Sequence, residues 1–251
     1  MYRIPQLSKY PKLFHVISDK SDGNMANAIN GVIYDFDIVR KNRERFLRKV
    51  GVDIDKTTCM WVTHSDDIIE APVEKLGISM KDYEHAVKVD GLITNKKGIY
   101  LFLLVADCLP IIIYDPVKEV VALVHAGWKG VDLEIAKKAV EKFRLLYKSD
   151  PKDLVVGIGP CVYKESFIKE NPSQKDDTRW QNYLEEIEDN KYKVDLVGFT
   201  KQQLVDSEVA HENIFESGID TAVDERFFSH VWEGNLPISQ QGRFACVVGI
   251  T

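Results

Sequence analysis

Two residues able to do chemistry, Cys108 and His125, stand at the ends of the stretch CLPIIIYDPVKEVVALVH. Between them, the apolar runs IIIY and VVALV flank DPVKE, a turn-rich segment with proline at its second position. An antiparallel hairpin turning near Val117 would bring Cys108 and His125 side by side, with Cβ atoms about 4.5–5.5 Å apart. Adjacent cysteine and histidine serve two chemistries. One is a thiolate nucleophile with histidine as its base; the other is metal ligation, which asks for a further ligand. His64, closing the alternating stretch TCMWVTH, is a candidate third ligand. A Cys/His/His set leaves one tetrahedral position open, as catalytic zinc sites do, and it equally resembles a blue-copper set, so zinc and copper both stand. A packed core thiol with two polar histidines is the third reading, and spacing alone leaves all three open. Directly after His125, AGWKG carries two glycines and Lys129 into the start of a helix, a geometry suited to an anion or to a plain strand-to-helix turn.

The elements that must position these groups are legible as patterns. Leu133, Ala136, Val140, Phe143 and Tyr147 recur at helical spacing with lysines opposite. A second helix is expected from Asp37, as N-cap, to Gly51, as the residue after the C-cap, with an apolar stripe of Ile38, Val39, Phe46, Leu47 and Val50. Arg43 falls on that same stripe, which directs its guanidinium either into a pocket or along a snorkelling path to water. In TCMWVTH (58–64), Met60, Val62 and His64 share one side of the pleat. The nearly continuous apolar stretch IYLFLLVA reads as a strand covered on both faces. LVVGIGP and RFACVVGI add two short strands, and the polar segment 169–193 reads as a surface excursion rather than a boundary between domains.

Composition narrows the function. The formal charge of −6 argues against a nucleic-acid binder, which needs a clustered positive surface. The longest greasy stretch, from Ile99 to Tyr114, is interrupted by Asp107 and Pro110 and is too short for a membrane span. The first residues, MYRIPQLSKYPKLFHV, lack a signal-peptide core, and four widely spaced cysteines suit free thiols, so a soluble cytoplasmic protein with neither nucleic-acid nor membrane partners is expected.

With ADCLP followed by HAGWKG, the sequence resembles the YfiH-like family, known as laccase-domain or polyphenol-oxidase proteins and also as purine nucleoside phosphorylases. The resemblance extends over most of the chain, through AINGVIYDFDIVRKNR, WVTH, DGLIT, GIGPCVY and the closing GRFACVVGI. It implies an α+β fold, a single domain over residues 1–251 of mixed β-sheets flanked by helices. It implies a zinc ion on His64, Cys108 and His125, and pocket positions for Asn30, Arg43 and Asp90. The implied reaction is phosphorolysis of adenosine, inosine and methylthioadenosine, with adenosine deamination beside it, so the implied partners are a purine nucleoside and phosphate.

In phosphorolysis the protein must hold a polyanion beside a ribose that becomes cationic, a task for Arg43, Lys129 and the helix start, while Asn30 orients the ribose or base. In deamination a carboxylate must shuttle protons, for which Asp107, beside Cys108, is the candidate. The chain departs from the family pattern at Val62, where glutamine is usual, at Lys129 for arginine, at Asp220 for cysteine, and at Val231 and Trp232 for two arginines; ISDKSDGN replaces a Thr-Arg-x-Gly-Gly stretch. The ligand set is kept while several cations are not. Three rivals follow: a copper oxidase, for which six histidines are too few to build a multicopper cluster; a cysteine hydrolase using Cys108 with His125; and a zinc protein without catalysis.

Overall fold

The computed structural model describes residues 1–26, 28–29, 32–33, 36–82 and 84–251. Its first strands are β1 (Leu13–Ile17), β2 (Ala28–Ile29), β3 (Val32–Ile33), β4 (Thr57–Trp61), β5 (Ile68–Glu70), β6 (Val87–Lys88), β7 (Gly91–Thr94) and β8 (Tyr100–Val105). Then follow β9 (Leu109–Asp115), β10 (Val120–Ala126), β11 (Val155–Ile158), β12 (Ile168–Glu170), β13 (Leu184–Glu188), β14 (Lys191–Val194), β15 (Ile214–Glu216) and β16 (Phe244–Ile250). The helices are α1 (Phe36–Lys49), α2 (Trp128–Asp132), α3 (Ile135–Tyr147), α4 (Leu196–Asp206) and α5 (His230–Glu233).

Two mixed sheets carry the fold, one ordered β1-β16-β8-β4-β6 and the other β15-β11-β9-β10-β7-β5. Alternation along the strands explains how they stack. Leu101, Leu103 and Val105 of β8 pack with Ile112, Tyr114, Val121 and Leu123 of the hairpin between the sheets, whereas Phe102 and Leu104 face Phe46 and Leu47 of α1. Ile111, Ile113, Ala122 and Val124 turn the other way, onto Ile135, Ala139, Val140 and Phe143 of α3 and Leu204 of α4. The order of layers is thus helix, sheet, sheet, helix, and both sheets are apolar on both faces because both faces are covered. This is the mixed-sheet, helix-flanked domain expected.

Local differences have physical causes. The helix expected from Leu133 begins at Ile135 as α3, because Glu134 takes a left-handed backbone (φ 59°) after the separate short α2, and this leaves Leu133 at the surface. In α1 the buried stripe is Val39, Phe46 and Leu47; Ile38 is 58% exposed, and Asp37 lies inside the first turn rather than capping it. Gly51 (φ 75°) supplies the left-handed residue that ends the helix, as expected. The polar excursion folds as a small sheet of its own, ordered β12-β14-β13. No helix among the described residues is long and apolar enough to cross a membrane.

Candidate metal centre and its cavity

Within the hairpin, His125 lies opposite Pro110 and Ala126 opposite Leu109. Continued by one step, this register sets Cys108 opposite Gly127, so Cys108 and His125 are diagonal neighbours rather than a direct pair. A shift of two residues keeps both side chains on one face, which is why the expected meeting still occurs. Glycine at 127 leaves room for that meeting: a Cβ there would stand a tight 3.0 Å from Cys108 Sγ, and in contact with His125 Cε1 (3.4 Å) and His64 Cδ2 (3.5 Å). Ligating atoms of His64, Cys108 and His125 all lie within 4.8 Å of one another, the one such His/Cys/Asp/Glu group among the described residues.

His64 reaches this point from a loop, not from a strand. β4 stops at Trp61, and residues 62–65 wrap around the carboxylate of Asp90. Asp90 Oδ2 accepts from Thr63 N (3.0 Å), Thr63 Oγ1 (2.7 Å), Ser65 N (2.9 Å) and Ser65 Oγ (2.9 Å). Its Oδ1 accepts from His64 N (3.0 Å) and from His125 Nδ1 (2.8 Å). Holding the His64 amide helps fix its left-handed backbone (φ 57°), an uncommon conformation for a residue with a side chain. Burial would raise the Asp90 carboxyl, but the His125 hydrogen bond and the amides and hydroxyls around it hold it far below the ordinary carboxylate range. One buried anion therefore orients two of the three candidate ligands, and with Nδ1 of His125 committed to it, Nε2 is the nitrogen left for a metal.

Electrostatics around Cys108 favour the ionised form. Burial pushes the Cys108 thiol up, yet the charge and hydrogen bond of His125, with His64 beside them, outweigh burial and bring it down to about 6. In return, against its own burial, His125 is held up at about 9 by Cys108 and by Asp90. The two rings meet edge to face with centroids 5.1 Å apart. His125 is buried, Cys108 half-buried and His64 exposed, so the centre has a closed back and an open front. A thiolate, two imidazoles, an orienting carboxylate and a glycine that leaves them room fit a single d-block ion with one position open to solvent or substrate.

The open front faces a cavity of about 480 Å³. Lys129 lies at its rim, exposed. Asp107 lines it too, with a left-handed backbone (φ 77°), but both carboxylate oxygens are engaged, Oδ1 by Thr221 Oγ1 (2.7 Å) and Oδ2 by Val231 N (2.6 Å). Asp90, expected as a substrate contact, is instead fully buried behind the ligands. Arg43 does not reach the cavity wall. It is 1% exposed, donates from Nε to Met25 O (2.9 Å) and from NH1 to Met80 O (3.1 Å), and lies 5.5 Å from the Phe102 ring centre. Backbone carbonyls satisfy the guanidinium inside the core beneath α1, so neither the pocket nor the snorkelling path is taken. Asn30 lies outside the described residues.

Val62 and Val231 line the cavity, whereas Trp232 is 72% exposed and borders a separate surface groove with Lys20 and Thr221. Three polar wall residues escaped the sequence reading: Lys169, His230 and Arg243. Arg243 was signalled by a charge at the head of an apolar strand; Lys169, in a polar excursion, carried no signal.

An open-fronted Cys/His/His centre beneath a cavity, set in paired mixed sheets, defines a laccase-domain protein of the YfiH type. Residues 21–251 match the family described as multi-copper polyphenol oxidoreductase laccase, and the chain belongs to that family. It is 31% identical over 203 residues to purine nucleoside phosphorylase YlmD of Bacillus subtilis (strain 168), covering 78% of this chain and 72% of that one. It is 28% identical to purine nucleoside phosphorylase LACC1 of Homo sapiens, over 78% of this chain and 45% of that longer one. Among solved structures, YlmD from Geobacillus stearothermophilus superposes with a TM-score of 0.87 at 25% identity, covering 96% of this chain and 93% of that chain. The Bacillus licheniformis protein YfiH has the same fold, with a TM-score of 0.87 at 23% identity over 97% and 94% of the two chains.

Proposed function

We propose that this chain is a zinc-dependent purine nucleoside phosphorylase that cleaves adenosine, inosine and methylthioadenosine, with adenosine deamination as a second activity of the same centre. The observation that carries the reading is the Cys/His/His cluster opening onto a cavity whose wall is both apolar and cationic. The names of the relatives support the same reaction class. His64, Cys108 and His125 would hold the zinc, which supplies Lewis acidity toward an oxygen of the substrates.

The chain's own residues divide the remaining work. In phosphorolysis the bond from ribose C1′ to the purine nitrogen breaks, a bond from C1′ to a phosphate oxygen forms, and the purine departs with a proton. Positive charge builds on the sugar between those events, so a phosphate held alongside stabilises it. Lys129 at the rim offers that phosphate a cation. Trp128, Phe167, Val162 and Leu196 give the base an apolar wall and keep water from competing as nucleophile. Asp90 is a positioning residue that fixes the tautomer of His125 and the approach of His64. Asp107, tied to Thr221 and Val231, holds the Thr221 loop and the first turn of α5 beside Cys108, which is the role its hydrogen bonds suit better than proton shuttling.

The test is metal content and inosine turnover measured together on protein purified without added metal. About one zinc per chain is expected, with hypoxanthine and ribose 1-phosphate formed at a rate that saturates with phosphate. Copper with an intense blue colour would point to the oxidase instead. Free ribose formed equally fast without phosphate would make the protein a hydrolase.

A further inference from the structure

The cavity wall carries Lys129, Lys169 and Arg243 together with His64, His125 and His230, against the single carboxylate of Asp107. That carboxylate is already met by the Thr221 hydroxyl and the Val231 amide. Several lysines outside the cavity lining have acidic partners: Lys164 pairs with Glu185 at 2.6 Å, Lys191 with Glu188 at 2.9 Å, and Lys138 with Asp66. Among the described residues, neither Lys129 nor Lys169 has a carboxylate within ion-pair distance. Instead the Lys169 ammonium lies 5.2 Å from the centre of the Phe167 ring, which steadies it without neutralising it. Arg243 is anchored at the head of β16, its amide donating to Asn24 Oδ1 (2.9 Å) and its guanidinium to Gly242 O (2.7 Å).

Lys129 of α2, Lys169 of β12 and Arg243, the residue before β16, thus line one concavity. The repulsion between Lys129 and Lys169 is relieved when an anion enters, and the concave shape focuses their field on it. A smaller apolar cavity of about 150 Å³, lined by Ala28, Ile29, Met60, Trp61 and Leu104, adjoins at His64 and Arg243. Arg243 thus borders both compartments. We propose that Lys129, Lys169 and Arg243 together form the subsite for inorganic phosphate, with Lys169 contributed by the small outer sheet. This assignment rests on the phosphorolytic reading above and adds two residues to it.

The experiment titrates inorganic phosphate into the metal-loaded protein by calorimetry, without nucleoside and at constant ionic strength. Lys169→Ala and Arg243→Ala should each weaken phosphate by about tenfold, Lys169→Arg should recover most of the loss, and Lys96→Ala, on a distant turn, should change nothing. In turnover, Lys169→Ala should raise the KM for phosphate about tenfold and leave the KM for inosine within about twofold. A phosphate affinity indifferent to Lys169 overturns the subsite even if phosphorolysis is observed. Lys169-dependent phosphate binding without phosphorolysis supports the subsite and overturns the reaction instead. Weakened binding of a nucleoside 5′-monophosphate with inorganic phosphate unaffected would assign these cations to an ester and overturn the proposal.

Discussion

At Cys108 two opposing pressures meet: burial favours the neutral thiol, and the imidazole beside it favours the thiolate. With the thiol brought down to about 6, metal-free protein should alkylate with iodoacetamide at a rate that climbs through about pH 6 and levels off well before an ordinary thiol would. Zinc should suppress that reaction by at least about tenfold, because the thiolate becomes a ligand. Cys59, Cys161 and Cys246 are buried with thiols pushed up, so peptide mapping should find the label at Cys108. Unchanged alkylation in zinc-loaded protein would favour the cysteine hydrolase. Arg43 yields the contrasting expectation. Its guanidinium serves the Met25 and Met80 carbonyls, so Arg43→Ala should cost about 2–4 kcal/mol in urea unfolding while turnover per folded molecule stays within about twofold. Residue types were readable from sequence, but the aim of Arg43 was not. A charge on an apolar helix face can be satisfied by a ligand, by water or by carbonyls from distant segments, and only the fold brings those carbonyls near.

The hairpin between β9 and β10 shows what patterning decides and what it leaves open. Apolar runs and a proline turn are enough to announce two paired strands, yet the register depends on where the turn closes. Here Asp115 Oδ1 accepts from Val117 N and Lys118 N, and β10 begins at Val120 after a left-handed Glu119. Side-chain parity survived the two-residue difference, so the ligand pair did too. His64 was legible as a member of the cluster although its strand ends sooner, at Trp61, since Asp90, far off in sequence, is what holds residues 63–65 in place. At this scale the decisive position is Gly127. Gly127→Ala should lower zinc content several-fold, because the new methyl group crowds Cys108 Sγ while already touching both imidazoles. Backbone strain is small, as φ is −81°, so the far-ultraviolet circular dichroism should match the parent. Full zinc occupancy in that variant would show that the centre is looser than its distances imply.

Across the whole molecule, the four layers bury polar groups as well as apolar ones, and one of these couples stability to pH. His15 on β1 is 1% exposed; its Nε2 accepts from Ile4 N at 3.0 Å, and its Nδ1 has no partner among the described residues. Burial, with Arg3 adding repulsion, lowers this histidine to about 4 despite a favourable contact with Ile4 O. The fold therefore keeps the ring neutral where the unfolded chain would protonate it. As pH falls from about 6.5 toward about 4 the unfolded state gains a proton that the native state refuses, so stability is lost across that window and levels off below it. The largest loss this shift allows is about 3 kcal/mol. His125 titrates with the opposite sign, its contribution fading as pH rises through about 9, and zinc adds a linkage of its own. A comparison of variant with parent removes both. His15→Leu deletes the acceptor for Ile4 N and should be less stable at pH 7, yet its urea midpoint should fall less steeply than the parent's between pH 6.5 and 4. Parallel slopes for the two proteins would mean that His15 is protonated inside the fold, and the acid sensitivity would then belong to the carboxylates and the metal centre.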